Sequence, residues 1–189
     1  IKYHGDHYVA LKTVIIVSGA IEHNNIANRI KKLFKSISDS NGKGKISTKE
    51  SQNNPEAKIF YKKTDQTHIA LGVRSYNIFD KRRYASEVLA TILGGGMSSR
   101  LFQLLRDKMG AAYYVRTSSD ESTDTGNFAT WAGIDNRRAE EIITAIIGEY
   151  KKIKNIKVDA SELAKAKDHM EGGLILSIET SDEMASFYG

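Results

Sequence analysis

Two polar side chains in the second half of the chain have the types and spacing needed to act on a substrate. Arg106 and Tyr113 are seven positions apart, and Gly110 lies between them. If Gly110 turns the chain, a forked guanidinium and a phenol meet beside one cleft, where the phenol can donate to a developing oxyanion. The ordinary alternatives are an ion pair of Arg106 with Asp107 or a neighbour, and a half-buried strand position for Tyr113.

A glycine-rich run precedes this pair, between two predicted helices. Backbone N–H groups at the start of the second helix could bind an anion or a peptide carbonyl there. The simpler interpretation is that the glycines only let the chain turn tightly. The candidate binding residues of this run are Gly94, Gly95, Gly96, Ser98 and Ser99.

The histidines do not form a convincing metal site. His4 and His7 could place two imidazoles near one ion in a helix, but Gly5 disfavours a helix and zinc needs three or four ligands. The other acid and histidine neighbours, Glu22-His23 and Asp168-His169, are isolated pairs. The sequence has no His-Glu-x-x-His or His-x-x-Glu-His motif, no Gly-x-Ser-x-Gly motif and no Walker-type loop, so we predict no metal site and no complete catalytic site in this chain.

Composition limits the class of protein. With 189 residues the chain is long enough for one domain, or for one domain and a fragment of another. The absence of Cys excludes Cys nucleophiles and Cys-ligated metals, but it leaves the compartment open between cytoplasm and periplasm. No apolar run approaches the roughly 20 residues of a membrane-spanning helix. The net charge of +5 comes from scattered Lys and Arg, as on solvated helix faces. Because the chain starts at Ile1 without a leader pattern, we expect it to be a piece of a longer protein.

The first part of the chain predicts a strand, a helix and a linker. The β-branched run Thr13–Val17 is typical of a buried strand, and apolar spacing predicts a helix over 24–37 with Asn24 or Asn25 as its N-cap. Residues 38–55 are polar and end at the only Pro, as in a linker. Two further strands are predicted, at 59–61 and at 68–73.

The remaining residues predict four helices around a hairpin. Apolar spacing gives helices over 81–93, from Ser98 or Ser99 to Gly110, over 137–154 and over 160–180, and paired strands at 112–118 and 126–134 enclose a polar loop. Asp159 and Glu162 have the spacing of a capping box for the last helix. This order of elements predicts an α+β fold, with helices packed on one face of an antiparallel sheet.

Several long runs resemble the C-terminal, non-metal half of the M16 zinc metallopeptidases, the family of insulinase, pitrilysin and mitochondrial processing peptidase. The runs are LGGGMSSRLFQLLRDKMGAAYYV, DTGNFATWAGID and VDASELAKAKDHMEGGLILSIETSDEMA. The upstream run HYVALKTVIIVSGAIEHNNIANRIKKLF is similar to the end of the family's N-terminal domain. The resemblance covers almost the whole chain and is poorest in the linker.

The resemblance implies a domain of the M16/LuxS-like metallohydrolase type. Two homologous domains of this type enclose a chamber, and the N-terminal one, expected outside this chain, binds zinc through an inverted His-x-x-Glu-His motif. The C-terminal domain contributes an Arg and a Tyr seven residues apart, which match Arg106 and Tyr113. The run Gly94–Ser99 matches, in a short form, the glycine-rich segment that helps take in substrate. Because Tyr114 should alternate to the opposite strand face, we expect only one of the two tyrosines to point into the chamber.

The implied organisation divides the chain into three parts. Residues 1–37 would be the last strand and helix of the N-terminal domain, 38–56 the linker and 57–189 a truncated C-terminal domain. The predicted strand at 13–17 would then be either an unprotected edge or packed against the second domain. The expected partners are the N-terminal domain, on the same chain or on a partner subunit, and a peptide or unfolded protein, with a homodimer left open.

These expectations define one function and two alternatives. The chain would be the substrate-binding half of a zinc metalloendopeptidase and inactive alone. The first alternative is a proteolytically inactive homologue that acts as a scaffold or partner subunit. The second is a basic nucleic-acid-binding module, which the hairpin does not support, because its residues Tyr113, Tyr114, Arg116, Phe128 and Trp131 form no recognised motif.

Overall fold

The computed structural model describes every residue from Ile1 to Gly189 and divides into two compact units. The larger unit is Thr48–Met170, and the smaller one combines Ile1–Ser47 with Glu171–Gly189. In chain order the helices are α1 (Lys2–His7), α2 (His23–Leu33), α3 (Arg83–Gly94), α4 (Arg100–Phe102), α5 (Ala139–Asn155), α6 (Ala160–Leu176) and α7 (Ser181–Tyr188). None of these helices combines the length with the apolarity needed to cross a membrane.

The larger unit is built on a three-stranded antiparallel sheet. Its strands are β1 (Gln66–Ser75), β2 (Ala112–Glu121) and β3 (Gly126–Asp135), in the spatial order β1-β3-β2. The predicted strand at 68–73 and the predicted hairpin are confirmed. The hairpin loop is shorter than predicted, because the strands extend to Glu121 and the turn is closed by a 2.8 Å bond from Ser122 N to the carbonyl of Thr125.

Helices cover one face of this sheet, which confirms the predicted α+β fold. Side chains from α3, α4, the helical segment Gln103–Lys108, α5 and the inner face of β3 meet in a core whose largest fully buried members include Leu93, Leu101, Leu105, Ile134, Ile142 and Ile146. Burying one such side chain contributes about 1.5–3 kcal/mol. The other face carries the exposed side chains of His68, Tyr114 and Arg116.

One polar network lies inside the core. The hydroxyl of Thr130 is 2.7 Å from the hydroxyl of Thr117 and 2.7 Å from that of Tyr150. Each hydroxyl thereby has a partner, which removes the cost of burying it. Burial raises the pKa of Tyr150 above its ordinary value, although the bond with Thr130 acts in the opposite direction.

The smaller unit contains α1, α2 and α7, and its one buried apolar residue is Val9. The prediction of a strand at 13–17 is wrong, since no strand pairs with this segment and Val14 is 80% exposed. A strand requires a hydrogen-bonded neighbour, and this segment has none. The predicted N-cap of α2 is also wrong: Glu22 caps the helix by accepting from the N–H groups of Asn24 and Asn25 at 3.1 and 2.7 Å.

Three other predicted boundaries are corrected. The segment 59–61 is not a strand, because it pairs with nothing and all three side chains are about nine-tenths exposed. Helix α2 ends at Leu33 and not at residue 37. Helix α6 ends at Leu176, and Thr180, predicted as its last residue, forms a capping box with Glu183 that starts α7.

Candidate substrate-binding site

Arg106 lies in an irregular part of the helix that follows the glycine-rich run. After α4 the backbone continues as a π-helix over Gln103–Lys108, with Met109 N donating to the carbonyl of Leu104 at 3.0 Å. Gly110 then reverses the chain with a φ of +57°, a conformation that favours glycine. The carbonyl of Met109 accepts a 2.9 Å bond from Arg138 Nη1, which fixes the end of the π-helix. Turns of this kind are rare and are frequently found at functional sites.

The Arg106 side chain is exposed and forms no ion pair. Its guanidinium carbon lies 5.1 Å from the centre of the Phe102 ring, one turn earlier. The ordinary alternative of an ion pair with Asp107 is absent from the structure. The five N–H donors of Arg106 are therefore available to a ligand.

Tyr113 lies at a bulge in β2. Ala112 pairs with Ile134 and Tyr114 with Gly133, so Tyr113 is the extra residue without a partner on β3. Its side chain is 57% exposed and has no hydrogen-bond partner in the structure. The register shift at Tyr113 interrupts the regular alternation from which opposite faces were expected for Tyr113 and Tyr114, and both side chains are exposed.

Tyr114 and His68 form a pair that the sequence analysis did not find. Tyr114 Oη lies 3.0 Å from His68 Nδ1, and both residues are in register with Gly133 on the central strand. A Cβ at position 133 would lie 2.4 Å from Tyr114 Cε1, so the glycine makes room for the ring to cross β3. A glycine within a predicted central strand was the signal for this close approach.

The glycine-rich run Gly94–Ser99 is packed closely against β2 at its first residue. A Cβ on Gly94 would lie 2.4 Å from both the backbone nitrogen and the hydroxyl oxygen of Thr117 on β2, so only glycine fits there. Gly95 and Ser98 are exposed. Ser99 is buried at the N-cap position of α4, but its hydroxyl donates to the carbonyl of Gly96 at 2.6 Å and does not cap the helix.

Helix α6 contacts this run at Gly95 and also contacts Arg100, the residue directly after it. His169 Nε2 lies 3.0 Å from the carbonyl oxygen of Gly95. Arg100 donates from Nε and Nη2 to the two carboxylate oxygens of Glu162 at 2.7 and 2.6 Å. These bonds lower the pKa of Glu162 and raise that of Arg100. Asp159 caps α6 as predicted, since its Oδ1 accepts a 2.8 Å bond from Ser161 N. Glu162 does not complete the predicted capping box, because it binds Arg100 instead. A two-pronged bond to a cation is stronger than a bond to a backbone N–H.

Arg106 and Tyr113 are not joined by a hydrogen bond, but they flank the same turn at Gly110. Arg116 lies further along β2, is exposed and forms no ion pair, and its register partner is Trp131. A separate cavity of about 420 Å³ lies beside α3 and α5 on the covered side of the sheet, and none of the candidate residues lines it.

Several of the histidines and acidic residues singled out in the sequence have other contacts in the structure. No group of three or more His, Cys, Asp or Glu side chains has the geometry to hold a metal. Gly5 was expected to disfavour a helix, but α1 spans it. His4 and His7 pack against Tyr8 and Tyr3, with ring-centroid distances of 4.6 and 4.3 Å. Of the two isolated acid and histidine pairs, Glu22 caps α2 and His169 bonds to Gly95.

The fold is an α+β domain with a three-stranded antiparallel sheet, and Arg106 and Tyr113 are exposed on either side of the turn at Gly110. The family model described as "Peptidase M16 inactive domain" matches residues 1–170. The chain therefore belongs to the M16 peptidase family, as a domain of the C-terminal, inactive type.

The chain is similar in sequence to a curated relative and in fold to solved structures. An uncharacterized zinc protease of Bacillus subtilis, YmxG, is 31% identical over 189 residues, which cover 100% of this chain and 45% of that protein. A protease from Helicobacter pylori has a TM-score of 0.81 at 23% identity, over 99% of this chain and 46% of that one. A peptidase M16 inactive domain from Pseudomonas fluorescens has a TM-score of 0.74 at 17% identity, and the match covers 90% of this chain and 41% of that one. The chain thus spans less than half the length of these proteins.

Proposed function

We propose that this chain is the substrate-binding half of an M16 zinc metalloendopeptidase, and that Arg106 and Tyr113 contact the peptide. The observation that carries the proposal is the paired irregularity around Gly110. A π-helix exposes Arg106 and a β-bulge exposes Tyr113, and neither polar group has a protein hydrogen-bond partner. Both irregularities interrupt regular hydrogen bonding, and both are over-represented at functional sites.

The two side chains have complementary roles toward a peptide bond. The guanidinium of Arg106 holds a carbonyl oxygen of the peptide through its forked N–H donors. The phenol of Tyr113 donates its O–H to the carbonyl oxygen of the scissile bond, which gains negative charge as water adds to the carbonyl carbon. Neither residue supplies the water or the metal, so the chain alone hydrolyses nothing.

The glycine-rich run Gly94–Ser99 would contact the peptide beside this pair. Its residues Met97 and Ser98 are exposed at the tip, while Gly94 and Ser99 are held by neighbouring elements. The tip therefore offers an accessible surface on a fixed base, which suits a substrate that arrives in extended form.

The remaining parts of the enzyme lie outside this chain in the proposal. Zinc would be bound by an N-terminal M16 domain, on the same polypeptide or on a partner subunit, and the matched relatives are named zinc proteases. Residues 1–37 would complete that domain, 38–56 would link it, and 57–189 would belong to the C-terminal domain. The proposed substrate is an unfolded protein or peptide.

The test is cleavage of an internally quenched, unstructured peptide by the full-length protein, with and without a zinc chelator. We expect chelator-sensitive cleavage, which falls about 10²–10³-fold in Tyr113→Phe, the range found when one oxyanion donor is removed. Arg106→Ala should also lower kcat/KM. Neither variant should change the thermal midpoint by more than a degree or two, since both side chains are exposed.

Matched controls separate a local effect from a general one. Tyr84 is 57% exposed, like Tyr113, and Arg137 is an exposed arginine of the same unit, so Tyr84→Phe and Arg137→Ala should cleave at the normal rate. Normal cleavage by the Arg106 and Tyr113 variants would refute their assigned roles. A folded full-length protein that cleaves no peptide would refute the peptidase and favour the inactive scaffold.

A further inference from the structure

Two side chains of helix α6 form hydrogen bonds at the two ends of the glycine-rich run. Glu162 and His169 are seven residues apart, which places them about two turns and 10.5 Å apart on one face of the helix. His169 bonds to Gly95 at the start of the run, and Glu162 bonds to Arg100 directly after its end. We refer to Glu162 and His169 together as the α6 clamp.

The His169 ring lies against the backbone of the glycine-rich run. The imidazole donates from Nε2 to the carbonyl of Gly95, so the bond requires the proton on that nitrogen. A Cβ on Gly96 would lie 3.4 Å from two ring atoms of His169, which is van der Waals contact distance. The ring therefore sits directly on the backbone of the run.

The Glu162 contact is a two-pronged ion pair in a partly buried position. The side chains of Arg100 and Glu162 are 22% and 32% exposed, and both carboxylate oxygens accept a bond. This geometry fixes the orientation of Arg100 as well as its position. Arg100 is the first residue of α4, which continues directly into the π-helix that contains Arg106.

The segment between the two contacts is closed on itself. Ser99 donates to the carbonyl of Gly96 from its backbone nitrogen at 3.0 Å and from its hydroxyl at 2.6 Å. Met97 lies at the tip and is 78% exposed. Both ends of the loop are therefore held by hydrogen bonds, while Gly95, Met97 and Ser98 are exposed.

We propose that Glu162 and His169 are positioning residues that hold the glycine-rich run, and with it the start of the Arg106 helix, in the conformation that binds peptide. This inference rests on the proposed function. A loop that is ordered before binding loses less conformational entropy when the ligand arrives, so the clamp increases affinity without touching the peptide. Neither residue contacts the reacting atoms, and neither is a catalytic residue.

The first measurement is hydrogen exchange of residues 94–101 in the full-length protein. We expect His169→Ala and Glu162→Ala to raise exchange in this segment at least fivefold and to leave the β2 and β3 strands protected. His169→Gln keeps an N–H donor and should restore slow exchange. Asp168→Ala, next to His169 but exposed and without a partner in the structure, should match the original protein.

The second measurement is the Kd of a fluorescent, unstructured peptide, with KM and kcat of its cleavage where turnover is present. We expect Kd and KM to rise about 3- to 30-fold in the two alanine variants, with kcat nearly unchanged and with recovery in His169→Gln. Equal loss in His169→Gln and His169→Ala would overturn the donor role.

Each of the two measurements can contradict a different part of the proposal. Unchanged exchange in both alanine variants would refute the clamp itself, whatever the protein binds. Faster exchange with an unchanged Kd would show that the clamp only stabilises the fold and would refute its role in binding. Absence of peptide binding by the original protein would refute the proposed function and the binding role together, while the exchange result would still decide whether the clamp holds the loop.

Discussion

At the scale of single residues, the candidate site depends on side chains whose backbone leaves the regular pattern. Arg106 is in a π-helix and Tyr113 is at a bulge, so the regular hydrogen-bond pattern is interrupted at both residues. The spacing of the two residues along the chain predicts that they flank one turn. The π-helix and the bulge could not be derived from that spacing.

Gly133 provides a test of the sheet face beside this site. Gly133→Ala would push the Tyr114 ring out of its place across β3 and break the contact with His68, since the new Cβ would lie 2.4 Å from Cε1. We expect the free energy of unfolding to fall by about 1 kcal/mol, comparable to the loss of one hydrogen bond. Urea denaturation measures the change.

A double-mutant cycle with Tyr114→Phe identifies the cause. If the glycine acts through the phenol, the combined variant should be less destabilised than the sum of the two single variants. Strict additivity would show that Gly133 matters for another reason, such as strand conformation.

At the scale of elements, the end of α3 packs directly on the backbone of β2. Position 94 at this contact is glycine. The next residue, Gly95, lies within hydrogen-bond distance of His169 on α6. Helical periodicity predicted α3, α5 and α6, because each buries one apolar stripe. It could not show that Glu162 pairs with Arg100, because the partner lies 62 residues away.

Two glycine variants test this packing. Gly94→Ala should destabilise the domain by about 1–3 kcal/mol, since the new Cβ meets the Thr117 backbone and cannot be accommodated by a side-chain rotation. Gly148→Ala, inside α5 with open space around it, should stabilise the domain by about 0.5–1 kcal/mol through helix propensity. Thermal unfolding of the two variants side by side makes the comparison, and equal effects would contradict the close approach at Gly94.

At the scale of the whole molecule, ionisable groups with shifted pKa values limit stability on both sides of neutral pH. Hydrogen bonds from Arg82 and Arg137 lower the pKa values of Asp80 and Asp135 to about 2 each, and Arg100 lowers the pKa of Glu162. Burial raises the pKa of Tyr150. The lowered carboxylates stabilise the fold when ionised, and the raised phenol stabilises it when neutral.

The signs give a specific pH profile. The carboxylate contribution is complete above the unfolded pKa values near 4 and is lost as pH falls toward 2, whereas the Tyr150 contribution is complete below about pH 10 and is lost as pH rises further. We expect the free energy of unfolding, from urea titrations at each pH, to be nearly constant between about pH 5 and 9. Glu162→Gln should flatten the acid limb and Tyr150→Phe the alkaline limb. An unchanged limb in either variant would contradict the corresponding assignment.

The fold class, the three strands of the sheet, the principal helices and the family could be predicted from the sequence. These features depend on local periodicity, turn residues and an ordered motif, which are all present within short stretches of chain. Arg106 and Tyr113 were proposed as site residues in the same way, because the motif that contains them is contiguous.

Which predicted segments become strands, and which candidate residues have partners, depends on contacts between distant parts of the chain. Segments 13–17 and 59–61 have apolar, strand-like sequences, but each lacks a neighbouring strand to bond with. His68 reaches Tyr114, and His169 reaches Gly95, across 46 and 74 residues of chain. Contacts of this kind depend on how separate elements pack together, and no local pattern in the sequence records that packing.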